Sequence, residues 1–150
     1  MGAYQNPWNE MNARELPKDI SLARRYSGGG TVFHDLGNLN ISYFHNNDLF
    51  DRNRFMQLLA DGLMTNWPKF RVVVGQRYDL WLEEGNELLK ISGGASRMSS
   101  SASYHHCTLL CEANLQRLKS ILKPTLTEIT ESKASKSVPS KTTNLGLSID

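Results

Sequence analysis

Arg24-Arg25-Tyr26-Ser27-Gly28-Gly29-Gly30-Thr31-Val32-Phe33-His34-Asp35 sets three successive glycines between two runs rich in β-branched and aromatic residues. Residues 20–26 and 31–33 read as short strands, and 27–30 as the tight loop between them. Glycines in series let a backbone come close to a ligand, and exposed N–H groups in such a loop suit a phosphate or a carboxylate. Arg25 and His34 flank the loop and add a cation and a titratable ring. A flexible hairpin is the plain alternative for a bare Gly-Gly-Gly. The loop is not a Walker P-loop, since no Gly-Lys-Ser/Thr follows at the required spacing, and it lacks the dinucleotide-binding fingerprint.

Working outward, residues 39–44 alternate Leu39, Ile41 and Tyr43 against Asn40, Ser42 and Phe44, the pattern of a half-buried strand. Residues 50–66 form the clearest helix, with Phe55, Leu58, Leu59, Leu63 and Met64 on one apolar face, Asp48 or Asp51 as cap and Pro68 as stop. Residues 71–74, 79–82 and 88–92 read as three short strands, the last two joined by a turn at Glu83-Glu84-Gly85-Asn86. Residues 104–111 read as another strand, followed by a helix over 112–122 that Pro124 ends. Upstream, residues 8–16 hold good helix formers between Asn9, a possible cap, and Pro17. From Glu131 the chain is rich in Ser, Lys and Thr without apolar periodicity. This predicts one domain over 1–130 and an exposed, poorly ordered tail over 131–150.

The length of 150 residues suits a single domain, and 39% hydrophobic with 21% charged residues fits a globular protein rather than a disordered one. No stretch approaches the roughly 18 uncharged apolar residues of a membrane span, so no membrane role is expected. A net charge of +2 is too weak to argue for nucleic acid. Cys107 and Cys111 cannot build a disulfide framework, which favours a reducing compartment. Met1-Gly2-Ala3-Tyr4-Gln5-Asn6 has Asn6 where a myristoylation site wants Ser or Thr, and no sorting signal is readable.

Two further clusters carry chemistry. In Lys90-Ile91-Ser92-Gly93-Gly94-Ala95-Ser96-Arg97 a strand lysine runs into a Gly pair, where its ammonium can meet an anion held by backbone amides; a solvated surface lysine is the commoner case. In Tyr104-His105-His106-Cys107-Thr108-Leu109-Leu110 the adjacent histidines point to opposite faces of a strand, and Cys107 and Cys111 sit roughly 13 Å apart by strand rise. A zinc site is therefore not expected, and His106 beside Cys107 is a poor nucleophilic pair.

Together these clusters resemble the lipoate–protein ligase and lipoyltransferase family. Residues 24–40 resemble its signature loop, which continues through Leu36-Gly37-Asn38-Leu39-Asn40. Lys90-Ile91-Ser92-Gly93-Gly94-Ala95 resembles its Lys-x-Ser-Gly-x-Ala motif, residues 104–110 the strand that follows, and Gln5-Asn6-Pro7-Trp8-Asn9-Glu10 the entry into its first long helix. The Cys in His-His-Cys and Ser135-Lys136-Ser137-Val138-Pro139-Ser140 are similar to the eukaryotic mitochondrial lipoyltransferase.

The resemblance implies an α/β (α+β) fold: a mixed β-sheet flanked by helices, like class II synthetase and biotin ligase cores, present here in part. It implies transfer of a lipoyl or octanoyl group, from its adenylate or a donor protein, to a lysine of the lipoyl domains of 2-oxoacid dehydrogenase acyltransferase subunits or of the glycine-cleavage H protein. Lipoyl-AMP is then a substrate and no cofactor is bound permanently; an ATP-dependent lipoate–protein ligase, using Mg-ATP, is the alternative. A non-catalytic fragment that binds acyl-adenylate or a lipoyl domain is a third possibility. The implied location is mitochondrial. By the same resemblance Lys90 is the catalytic residue, contacting the acyl carbonyl and the α-phosphate. Backbone amides near Gly28, Gly29 and Gly30, with Arg25 nearby, hold the acyl end, Val32, Phe33 and Ala95 line the adenine and ribose region, Asp79 lies near the adenylate, and Ser27 belongs to the same substrate-binding set. His34, Asn38, Ser92 and Gly93 complete the expected site, with no metal ligands. Against the family pattern, Tyr78-Asp79 stands where some members have Asn-Asp, Gly94 adds a glycine, and the chain is expected to be truncated at both ends.

Overall fold

The computed structural model describes residues 1–125 and 140–149. In chain order the elements are α1 (Pro7–Glu10), β1 (Asn38–Asn46), a 3-10 turn (Asn47–Leu49), α2 (Arg52–Asn66), β2 (Val72–Val74), β3 (Leu80–Glu84), β4 (Glu87–Lys90), β5 (Ser92–Met98), β6 (Ala102–Leu110) and α3 (Leu115–Ile121). They build two three-stranded antiparallel sheets, ordered β1-β6-β5 and β2-β3-β4. Between β4 and β5 the chain crosses from one to the other at Ile91, which is fully buried. Ile91 N–H donates to the Leu80 carbonyl at 3.0 Å, and its own carbonyl accepts from Leu110 N–H at 2.8 Å, so this residue stitches the two ladders together. This is the α/β arrangement expected. Its strands pair antiparallel within each sheet, and a parallel bridge joins Lys90 to Thr142. No helix among the described residues is long and apolar enough to cross a membrane.

Helix α2 covers one side of this surface. Asp51 starts it by accepting from Arg54 N–H at 3.1 Å, and the helix buries Phe55, Met56, Ala60 and Leu63. They pack with Phe70, Val72, Leu80, Leu82, Ile91, Cys107, Leu109 and Leu145 into one core. The buried stripe is rotated from the one expected: Met56 is fully buried while Leu58 is 68% exposed. Residues 55, 56, 59, 60 and 63 also recur at helical spacing, and the small Ala60 lets the helix approach the sheet closely.

Several expected elements are corrected. The helix over 8–16 is a single turn, Pro7–Glu10, capped by Asn6 rather than Asn9. Residues 20–26 and 31–33 form no strand, and no ladder among the described residues includes them. Their hydrogen bonds go instead to the N-terminal segment: Met1 N donates to Ala23 O at 2.8 Å, Arg25 N–H to Met1 O at 3.0 Å and Ala3 N–H to Ser27 O at 2.9 Å. Arg24 holds the same segment, its Nη1 reaching the carbonyls of Gly2, Ala3 and Gln5 at 3.0, 3.1 and 2.7 Å. Gly93-Gly94 reads as a loop in sequence yet lies inside β5, where pairing with the nine-residue β6 supplies the order that glycine lacks. The helix expected over 112–122 begins at Leu115, because Asn114 caps it by accepting from Arg117 N–H.

Residues 140–149, expected in a loose tail, are packed onto the fold. Lys90 N–H donates to Lys141 O at 2.8 Å, Thr143 N–H to Lys90 O at 3.1 Å, and Leu145 is buried. Asn144 exchanges two hydrogen bonds with the Ala113 backbone, at 3.1 and 2.8 Å. Leu145 in the core, Leu147 packed against it and backbone bonds to Leu110 and Cys111 seat a segment whose composition reads as disordered. Residues 131–139 and 150 of that expectation lie outside the described residues.

Candidate adenylate site

The alternation of β6 divides two chemistries between its faces. His105, Cys107 and Leu109 turn toward α2, where Phe55 meets the His105 ring edge-on and Cys107 and Leu109 join the core. His106 and Thr108 turn to the other face. The Gly-rich segment lies across that second face, and Ser27 Oγ meets His106 Nε2 at 2.7 Å. Thr31 Oγ1 donates to Gln5 Oε1 at 2.7 Å, so the buried Gln5 fastens the far side of the loop to the N-terminal segment.

Arg25 curls the loop on itself. Its Nε donates to Ser27 Oγ at 3.0 Å, and its Nη2 donates to the carbonyls of Gly28 and Gly30, each at 2.7 Å. The remaining Nη1 is buried without a hydrogen-bond partner among the described residues. Gly29 sits at φ +87°, and a Cβ there would stand 3.2 Å from both Ala95 Cβ and Arg25 Nη2, so this glycine is required on two counts.

Two cavities open beneath the loop and share a wall. A polar one of about 190 Å³ is lined by Arg25, Gly30, His34, Arg77, Asp79, Lys90, Ala95 and His106, among others. A more apolar one of about 360 Å³ is lined by Val32, Phe33, Leu110, Leu118 and Leu122, with Asn38 and Lys119 at its polar points. Thr31, Val32, Lys90, Gly93 and Thr108 line both. Lys90 thus stands at the junction, its Nζ 2.6 Å from Asp79 Oδ2 in a largely buried pair. The polar lining carries three cations, Arg25, Arg77 and Lys90, against one carboxylate, and favours an anionic guest.

The histidines of this face are held neutral near pH 7. Burial lowers the pKa of His106, with Arg25 and His34 adding to the effect. Burial likewise lowers His34, helped by the amino terminus and Arg25 and opposed by Asp35. His34 Nδ1 lies 2.6 Å from Asn38 Nδ2, so Asn38 donates to the neutral ring. On the opposite face burial, and then Asp79, push the Cys107 thiol up to about 12, which removes it as a nucleophile.

Of the residues expected in the site, Lys90, Arg25, Gly30, Val32, His34, Asp79, Gly93 and Ala95 line the polar cavity, and Phe33, Asn38 and Ser92 line the apolar one. Ser27, Gly28 and Gly29 line neither. Ser27 braces His106 and Arg25 from behind. Ser92 lines its cavity, but its Oγ is engaged by Leu80 N–H at 2.6 Å, a structural bond between the sheets. Thr31, Arg77, His106 and Thr108 were not expected from the sequence. His106 belongs to the His-His-Cys run and Arg77 directly precedes Tyr78-Asp79, so adjacency to motif residues was the available signal.

Over residues 1–149 the sequence matches the lipoyl protein ligase A/B catalytic domain. The chain belongs to this family. The mitochondrial lipoyl amidotransferase of Homo sapiens is 41% identical over 146 residues, which cover 97% of this chain and 38% of that protein. Among solved structures, the bi-partite lipoate protein ligase of Thermoplasma acidophilum, studied with its lipoyl domain, shares 29% identity and a TM-score of 0.70, covering 85% of this chain and 50% of that one. A lipoate-protein ligase A bound with ATP shares 28% identity and a TM-score of 0.64, covering 83% and 54%. The fold is therefore that of the biotin/lipoate ligases. This lipoyl ligase-family chain spans little more than a third of the length of its curated relatives.

Proposed function

We propose that this chain forms the acyl-adenylate site of a lipoyltransferase, an acyltransferase that passes a lipoyl or octanoyl group to a lysine of a lipoyl domain. The observation that carries this is Lys90, at the wall shared by an apolar and a polar cavity. An acyl-adenylate is a flat heterocycle joined through a ribose and one phosphate to a reactive mixed anhydride. The adenine fits the apolar cavity against Val32, Phe33, Leu110 and Leu122. The phosphate then falls at Lys90, and the anhydride carbonyl extends toward Arg25, whose Nη1 has no hydrogen-bond partner among the described residues.

In the transfer, the acceptor lysine's amine attacks the acyl carbonyl, a C–N bond forms, the anhydride C–O bond breaks, and AMP leaves with the bonding pair while the amine loses a proton. Charge grows on the carbonyl oxygen and the leaving phosphate, both within reach of Lys90, so a fixed ammonium there stabilises the transition state more than the ground state. Asp79 orients that ammonium. The acceptor supplies the nucleophile, so the inert Cys107 is no obstacle. The solved lipoate protein ligase studied with its E2 lipoyl domain supports a lipoyl domain as acceptor, and the mitochondrial lipoyl amidotransferases among the relatives support a mitochondrial location.

The surplus of Arg25 and Arg77 over the Lys90–Asp79 pair also favours a second reading, in which Mg-ATP and free lipoate make the adenylate here first. Mass spectrometry of a lipoyl domain incubated with the chain separates the two. Acylation from preformed lipoyl-AMP alone supports the transferase, whereas acylation from lipoate and Mg-ATP supports the ligase. Binding of the adenylate without acylation from either source would leave a non-catalytic binding fragment.

A further inference from the structure

We propose that Arg52 and Tyr78 are positioning residues that aim Asp79 at Lys90; the inference rests on the adenylate site described above. Tyr78 has φ +61°, a left-handed conformation that a bulky aromatic residue rarely adopts. It closes the β2–β3 connection, with Tyr78 N–H donating to Gly75 O at 3.0 Å and Gly75 N–H donating to Asp79 O at 2.8 Å. Turns of this kind beside active sites re-aim the following side chain. Here the following side chain is Asp79, whose carboxylate holds Lys90 Nζ at 2.6 Å.

Asp79 is pinned from both directions. On its C-terminal side, Leu80 N–H is tied to Ser92 Oγ at 2.6 Å. On its N-terminal side the restraint is Tyr78, and the ring of Tyr78 is covered by Arg52, whose guanidinium carbon lies 4.3 Å from the ring centroid. Arg52 Nη1 also donates to Ser96 Oγ at 3.2 Å. One guanidinium at the start of α2 therefore spans the turn before Asp79 and strand β5, whose Gly93 and Ala95 line the polar cavity. Cation–π attraction favours the ring staying beneath that charge, and with it the unusual backbone at residue 78.

The test compares the wild-type chain with Arg52→Gln and with Tyr78→Phe, titrating each with a non-hydrolysable lipoyl-adenylate analogue. Arg52→Gln is expected to weaken binding about fivefold to tenfold, and Tyr78→Phe, which keeps the ring, by less than about twofold. In an Asp79→Asn background the Arg52→Gln effect is expected to disappear, because the brace acts through that carboxylate; a general packing role would give the same loss in both backgrounds. Equal affinity of Arg52→Gln and wild type, or an undiminished loss in the Asp79→Asn background, overturns the inference. If wild type does not bind the analogue, the adenylate reading fails separately, and a crystal structure of Arg52→Gln then decides. A Lys90–Asp79 pair that opens supports the brace, and one unchanged from 2.6 Å overturns it.

Discussion

Acid should weaken this fold through His105 in particular. Its ring is buried between β6 and α2, and both ring nitrogens lack hydrogen-bond partners among the described residues. Burial, and then the charges of Arg52 and His106, push its pKa down to about 4, against an opposing pull from Asp79. An unfolded histidine titrates near 6.5. Between those two values the unfolded chain binds the extra proton more readily than the folded one. The contribution to stability is therefore complete above about pH 6.5 and is lost as pH falls toward 4. From pH 7 to 4.5 the loss from this residue is about 2 kcal/mol, or roughly 4 to 8 °C in melting temperature for a chain of this size. His34 and His106 are lowered too and add in the same direction. Subtracting the melts of His105→Leu from those of wild type at each pH isolates the one residue. The difference should move by about 2 kcal/mol in favour of the variant between pH 7 and 4.5. An NMR titration of the His105 ring carbon protons should show a midpoint near 4. A flat difference curve together with a ring that titrates near 6.5 would refute the claim that this imidazole is kept neutral by its surroundings.

Other perturbations have equally definite outcomes. Met56→Ala removes a fully buried side chain from the α2–sheet contact and should cost about 2 to 5 kcal/mol in urea unfolding, whereas Leu58→Ala, on the exposed flank, should cost under about 1 kcal/mol. Gly94→Ala would set a Cβ 3.0 Å from the His105 ring and 3.3 Å from the His106 carbonyl, and should destabilise by about 1 to 3 kcal/mol; adding His105→Ala should shrink the cost of the Gly94→Ala step and leave only the backbone contact, a coupling that a double-mutant cycle reads directly. Arg24→Met removes three hydrogen bonds to carbonyls at Gly2, Ala3 and Gln5, and should raise amide exchange in residues 1–5 and in the Gly-rich loop while leaving β3 and β4 protected.

The strands with alternating pattern were legible from sequence, and so was α2, because a half-buried strand and a capped amphipathic helix announce themselves over short windows. The N-terminal third was not. Residues 20–33 have strand-like composition, yet their partners are Met1, Gly2, Ala3 and Gln5, contacts nineteen or more residues away that no local window contains. Strand β5 was hidden by Gly93-Gly94, whose glycines are explained only by what lies against them: the His105 ring under Gly94 and the cavity beside Gly93. For the candidate site, motif resemblance found Lys90, Asp79 and Arg25, since these residue types carry recognisable chemistry. It missed Arg77, beside Tyr78-Asp79, and Thr31, His106 and Thr108, which lie within the motifs but reach the cavities through strand register and loop geometry. It also assigned Ser27 and Ser92 to the ligand, whereas their hydroxyls are engaged by His106, Arg25 and Leu80 N–H.

The most direct test of the adenylate site is a thermal melt of this chain and of Lys90→Met, each with and without the lipoyl-adenylate analogue at 100 times the wild-type dissociation constant. Wild type should gain about 2.7 kcal/mol, seen as a rise of roughly 5 to 10 °C, and Lys90→Met, still melting cooperatively, should gain far less. Equal shifts in the two proteins, or no shift in a cooperatively melting wild type, would contradict an adenylate site built around Lys90.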